Sequence, residues 1–199
     1  YIVDGEEYSR TEDVPYGADL AGYLIAEPTK AGHTFSGWSP AELPATMPDE
    51  DVTVSGAFTV NTYTVRFFAA DGVTQIGSAQ TVAWGGAAAL ETPPAITGFT
   101  FDTWRLTGDD DTVAASLSDV RENIDAVAVY TRNSYTVTFV DYDGTVLGTY
   151  SVLYGDGVVA PSALPREGYA FTGWDIPFGF VTKNLRVTAQ YAINTYIVT

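Results

Sequence analysis

One pattern, glycine-aromatic-x-Phe-x-x-Trp, occurs three times: Gly32-His33-Thr34-Phe35-Ser36-Gly37-Trp38, Gly98-Phe99-Thr100-Phe101-Asp102-Thr103-Trp104 and Gly168-Tyr169-Ala170-Phe171-Thr172-Gly173-Trp174. A motif this long, returning with its glycine-to-tryptophan spacing intact, rules out one large irregular domain and points to a tandem array of small units. Other landmarks recur around it in fixed order. An Asp-Gly turn opens each unit (Asp4-Gly5, Asp71-Gly72, Asp143-Gly144), and an aromatic-Gly pair follows (Tyr16-Gly17, Trp84-Gly85, Tyr154-Gly155). After the tryptophan comes an alternating strand ending at Phe58, Tyr130 or Tyr191, then Asn61, Asn133 or Asn194. The repeats therefore run 1–61, 62–133 and 134–194, with 195–199 opening the first strand of a following unit.

Hydrophobic alternation predicts mainly β units of about four strands each. Tyr63, Val65 and Phe67, and again Tyr135, Val137 and Phe139, place one apolar face on the first strand. Asp-Gly supplies the positive φ of a tight hairpin, so the second strand returns antiparallel. A Pro-bearing connection follows, and its opening, Ala18 to Ala26, reads as two helical turns; Ala87–Glu91 and Gly157–Ala163 are weaker equivalents. The third strand carries Phe35, Phe101 or Phe171. The fourth shows Val52, Val54 and Phe58; Ile124, Ala126, Ala128 and Tyr130; or Leu185, Val187, Ala189 and Tyr191 on one face. The expected fold is a β-β-(short helix)-β-β unit repeated into an elongated, stiff rod, because the joints between units hold no Gly or Pro. The second repeat has an insertion, Arg105 to Glu122, in which Ser116-Leu117-Ser118-Asp119 reads as a capping box opening a helical turn.

These residues resemble the internalin B-type repeat, also called the Listeria–Bacteroides repeat, of bacterial surface proteins. Tyr135-Thr136-Val137-Thr138-Phe139, Asp143-Gly144, Tyr154-Gly155, the run Pro165 to Trp174 and Val187-Thr188-Ala189-Gln190-Tyr191 carry the likeness. The second repeat departs from it at Thr103, where the others have Gly37 and Gly173. The resemblance implies a β-grasp-like module in secreted or wall-anchored proteins, acting as stalk or adhesion segment, with no catalytic residues to carry over.

Charge narrows the partners. Nine basic residues face 25 acidic ones, for a net charge of −16. The first repeat holds two basic against 11 acidic, the second four against nine, the third three against five. Such a surface repels phosphate backbones and anionic lipid, which disfavours nucleic acid and membrane insertion. There is no cysteine, so disulfides and thiolate sites are excluded. His33, the only histidine, occupies the aromatic slot of the motif, so histidine metal clusters are excluded and the ring reads as a packing residue rather than a catalytic one. Asp141 with Asp143, and Asp109 to Asp111, lack calcium-loop spacing. Asn61-Thr62, Asn133-Ser134 and Asn194-Thr195 are not glycosylation sequons, since the hydroxyl residue comes one position early.

No catalytic, cofactor or metal residues are expected, and the ligand-binding residues are unassigned. Trp38, Trp104 and Trp174 have two readings. Simple alternation opposes them to Phe35, Phe101 and Phe171, which exposes them for stacking on a glycan; a bulge at Gly37 or Gly173 reverses the parity and buries them. The expected function is a non-enzymatic stalk, spacer or adhesion segment, extracellular or attached to the cell wall. The alternative is a module binding a glycan or host protein. The partners are neighbouring repeats, and the array reads as cut within a strand at both ends, which suits head-to-tail strand pairing.

Overall fold

The computed structural model describes residues 1–10, 13–107, 112–113 and 116–199. Among these residues the regular structure is strand alone. The first repeat forms β1 (Ile2–Val3), β2 (Glu6–Glu7), β3 (His33–Phe35), β4 (Ser55–Gly56) and β5 (Phe58–Val60). The second forms β6 (Thr62–Phe68), β7 (Gln75–Ala83), β8 (Gly86–Ala88), β9 (Phe99–Leu106), β10 (Thr112–Val113), β11 (Leu117–Val120) and β12 (Ile124–Arg132). The third forms β13 (Ser134–Val140), β14 (Val146–Leu153), β15 (Tyr169–Trp174) and β16 (Leu185–Ile193).

One strand order runs through all three repeats. It is β14-β13-β16-β15 in the third and β7-β6-β12-β9 in the second, where β10 adds at the edge. In the first, β2-β1-β4 and β3-β5 reproduce it in two pieces, because the fourth strand breaks between Gly56 and Phe58. The first strand always pairs antiparallel with the second and parallel with the fourth, so each sheet is mixed. The registers match: Ile2↔Ser55 in the first repeat corresponds to Val140↔Thr188 in the third.

The apolar faces read from alternation form the cores. Val137, Phe139 and Val187 are fully buried together with Val181 and Val152, and Trp174, Tyr150 and Phe178 pack against them. Val65, Phe67 and Ala126 are equally buried in the second repeat. Each fully buried Val or Phe among them contributes about 1.5–3 kcal/mol. The chain divides into two compact units, Tyr1–Thr92 with Arg105–Val127, and Pro93–Trp104 with Ala128–Thr199. Val65, Phe67, Val54 and Trp38 belong to the first, and the Val137–Phe139 core to the second.

The helical expectations are corrected. Ala18 to Ala26 contains no helix, and its backbone turns outward to other segments. Leu20 N–H donates to the Ala45 carbonyl (3.1 Å), Met47 N–H to Ala18 (2.8 Å) and Gly17 N–H to Met47 (2.9 Å). Asp19 caps the Ala21 amide at 2.8 Å, and Gly22 sits at φ 91°. These bonds use the groups that an i→i−4 ladder needs. Ala87–Glu91 and Gly157–Ala163 are likewise without helix, so an irregular segment crosses where the residues of the connection read as helical turns. Leu117–Val120 is strand β11, paired with β8, rather than a capped helical turn.

The Asp-Gly turns form as expected. Asp4 and Gly5 both have positive φ (52° and 88°), and Gly72 and Gly144 lie at 70° and 91°. Asp71 accepts from the Val73 and Thr74 amides (2.9 Å each) and the Thr74 hydroxyl (2.6 Å). The Thr74 hydroxyl, then the Thr74 and Val73 amides, lower its pKa to about 2. Because the folded value lies below the unfolded one, this group stabilises the fold above about pH 4, and the contribution fades as pH falls through about 2. In an NMR carboxyl titration Asp71 should therefore remain ionised at pH 3, and Thr74→Ala should move its midpoint upward. A midpoint near 4 in the wild type would refute the reading.

Candidate functional site

The tryptophans are packing residues. Trp38 is 7% exposed and Trp104 1%, while Trp174 is half-buried. Trp38 meets Tyr1 (5.1 Å) and Phe35 (4.9 Å) edge-on and donates its indole N–H to the Ile25 carbonyl at 3.0 Å. Trp174 meets Phe139 at 4.9 Å and Phe171 at 5.5 Å. The parity reversal is visible in the third repeat, where register shifts between Phe171 and Gly173 and the glycine takes φ 137°. Gly37 has φ 83°. Phenylalanine and tryptophan of one motif thus touch instead of facing apart.

The motif glycine has a separate task, at the boundary between repeats. In the first unit, Asn61 N–H donates to the Gly32 carbonyl (2.8 Å), and the Asn61 carbonyl accepts from Trp84 N–H (2.9 Å). The Asn61 side chain accepts from the Thr34 hydroxyl at 2.7 Å. Gly32 has φ 68°, and a Cβ there would stand 2.0 Å from Trp84 Cδ2, inside the indole. The second unit repeats this with new residues. Asn133 N–H donates to Gly98 (2.9 Å), Tyr154 N–H to Asn133 (2.8 Å), and the Thr100 hydroxyl to Asn133 Oδ1 (2.6 Å). Gly98 has φ 80°, and its added Cβ would lie 2.0 Å from Tyr154 Cδ1. Only glycine satisfies both the left-handed backbone and the ring lying on it. Each joint is a lock in which asparagine pins the motif glycine on one side and the next repeat's aromatic on the other.

Basic side chains brace both joints. Arg132 donates to the Tyr154 carbonyl (2.7 Å) and to Asp156 (2.6 Å). The Arg121 guanidinium lies 4.9 Å from the Trp84 ring centroid. At the third repeat Asn194 N–H again donates to Gly168 (2.8 Å), but the space over Gly168, at φ 75°, is open. Sequence reasoning had Gly32, Asn61 and Trp84 as separate landmarks and missed that they meet. Their joint recurrence at each boundary was the available signal.

The remaining candidates resolve into structural roles. His33 packs edge-on to Phe58 at 6.2 Å, with its Nδ1 2.8 Å from the Ala31 carbonyl. Asp141 is 4% exposed and stands 2.8 Å from the Tyr191 hydroxyl, and Asp143 accepts from Thr145 N–H at 2.9 Å. The Thr145 amide and hydroxyl hold Asp143 below the usual carboxylate range. Asp109 to Asp111 lie outside the described residues. No group of three or more metal-ligating side chains converges among the described residues.

Comparisons with known proteins agree with the repeat pattern. The sequence profile of the Listeria-Bacteroides repeat domain matches residues 1–60, 63–129 and 135–195. A putative membrane protein of Evansella cellulosilytica is 28% identical over 197 residues, covering 87% of this chain and 29% of that protein. Internalin H of Listeria monocytogenes is 40% identical over 85 residues, covering 42% of this chain and 15% of its own length. This chain thus spans under a third of the length of either relative. Among solved structures, streptococcal high identity repeats in tandem (SHIRT) domains 3-4 from a cell surface protein align at 14% identity with a TM-score of 0.30, over 67% of this chain and 98% of that one. With three consecutive matches spanning nearly every residue, the chain belongs to the Listeria-Bacteroides repeat domain family.

Proposed function

We propose that this chain is a non-enzymatic spacer segment of a bacterial cell-surface protein, a stalk whose joints hold successive repeats in one orientation. The observation that carries the reading is the lock built twice from equivalent residues, Gly32–Asn61–Trp84 and Gly98–Asn133–Tyr154. A flexible tether has no use for a ring seated on a glycine at each boundary. Membership of a repeat family found in internalin H supports the placement outside the cell. The alternative, a module binding glycan or host protein, calls for one exposed ring recurring at one place per repeat. The exposed Tyr8, Tyr142 and Phe180 occupy unlike positions.

The absence of cysteine makes the test direct. With spin labels at Thr59→Cys and Ser78→Cys, on either side of the first joint, electron–electron distance measurements should give one narrow distribution. Gly32→Ala should broaden it. A broad distribution in the unmutated background would defeat the spacer reading, and saturable binding on a glycan array would favour the alternative.

A further inference from the structure

Among the described residues, Lys30, Arg66, Arg121 and Arg166 lie over aromatic rings. The first three also have a carboxylate, Asp4 at 4.0 Å, Asp125 at 2.7 Å and Asp119 at 2.9 Å. Arg166 has none within ion-pair range, although it touches the most rings. Its Cζ is 3.9 Å from the Tyr142 centroid, 3.7 Å from Tyr169 and 5.9 Å from Tyr191. The missing acid is traceable by register. Arg166 stands two residues before its motif glycine, as Lys30 does. The registers Ile2↔Ser55 and Val140↔Thr188 align Asp4 with Tyr142, so the third repeat puts a ring where the first supplies a counter-ion. The buried carboxylate of Asp141 is engaged elsewhere, 2.8 Å from the Tyr191 hydroxyl.

The geometry leaves one approach to this cation. No ring contact joins Tyr142 to Tyr169, so the two stand on opposite faces of the guanidinium. Only its edge, with the N–H groups in one plane, remains open to a partner. No described residue accepts a hydrogen bond from that edge. The slot selects for shape. A carboxylate is planar and takes two such N–H groups side by side. Sulfate and phosphate carry oxygens above and below that plane, where the rings stand. The hydroxyls of Tyr142 and Tyr169 are likewise without a partner among the described residues. Beneath the rings, β16 is paired along both edges, by β13 and β15, and so offers no main-chain groups to an extended peptide.

We propose that Arg166, Tyr142 and Tyr169 form a subsite for the carboxylate of an acidic sugar, of the uronic or sialic acid type, on a glycan. The guanidinium meets the carboxylate edge to edge, and the two phenol hydroxyls bond the hydroxyls beside it on the sugar. Held in place by the rings, the fork loses little rotamer freedom on binding. The third repeat is also the least acidic, with three basic residues against five acidic ones. A single negative charge therefore meets less repulsion there than on the other two repeats. The subsite does not rest on the spacer reading. One site on one repeat differs from a ring recurring in every repeat, so either reading can fail alone.

NMR titration of the whole chain provides the test, with sodium glucuronate as probe and sodium chloride of equal ionic strength as blank. The Tyr142, Tyr169 and Arg166 side-chain signals should shift saturably, with a dissociation constant of about 1–10 mM. Glucose, the same ring without the carboxylate, should leave them still. Arg166→Lys keeps the cation but not the fork, and should weaken glucuronate binding by about tenfold. Tyr169→Phe keeps the ring over the arginine; it should weaken glucuronate and leave acetate unchanged. Both variants are compared at temperatures where circular dichroism shows them folded. No saturable shift below about 100 mM glucuronate, or binding undiminished by Arg166→Lys, overturns the inference. So does sulfate, or N-acetylglycine as the stand-in for a peptide terminus, binding as tightly as glucuronate.

Discussion

Gly98→Ala is expected to destabilise the second unit by about 2–5 kcal/mol in urea denaturation. An L-residue at left-handed φ costs roughly 1–2 kcal/mol, and forcing a methyl into a packed contact adds about 1–3. The added carbon would lie within 2.0 Å of the Tyr154 ring, and Asn133 fixes both partners, so neither can retreat without breaking a backbone bond. Gly168→Ala is the internal control. Its φ of 75° is similar and its surroundings are open, so only the backbone part, about 1–2 kcal/mol, should appear. Equal losses at the two positions would mean that the ring-on-glycine contact adds nothing.

Trp104→Ala should cost about 3–5 kcal/mol, the range for truncating a large buried aromatic. Its ring is 1% exposed and packs on Phe101 at 5.4 Å. Trp174→Ala, at a half-buried ring, should cost less but still lower the melting temperature. The measurement should be paired with a glycan-binding assay. Unchanged stability with lost binding would return the indoles to the role of a ligand platform, against their burial.

How far the fold was legible depends on which force dominated locally. Val137, Phe139, Val187 and Ala189 were readable because period-two alternation has one physical outcome when one face is buried. The Asp-Gly turns were readable because positive φ admits few residue types. Ala18 to Ala26 misled because alanine and leucine favour helix only when the backbone has no better partner, and Ala45 and Met47 offered one. Ser116 to Asp119 carried the letters of a helix start, but Leu117 and Val120 pair with Ala88 and Gly86 of β8 instead. The tryptophan parity was undecidable from spacing alone, since the register shift at Gly173 reverses it in the third repeat, while Trp104 is buried beside Phe101 with Thr103 in the glycine's place. The boundary locks were hidden because each joins residues about 20 to 55 positions apart, a closeness that only the sheet order produces.

The parallel neighbours at the centre of the third repeat's sheet bear on how such a chain answers a pull. The polypeptide enters the third repeat at Ser134 and leaves after Ile193, and the strands holding those points, β13 and β16, run side by side in the same direction from Val137↔Leu185 to Val140↔Thr188. Tension applied through the ends drags these two strands past one another lengthwise. The bonds between them are then loaded all at once, in shear, and none can peel open ahead of the rest. A module wired this way meets traction with a whole row of bonds rather than with one bond at a time.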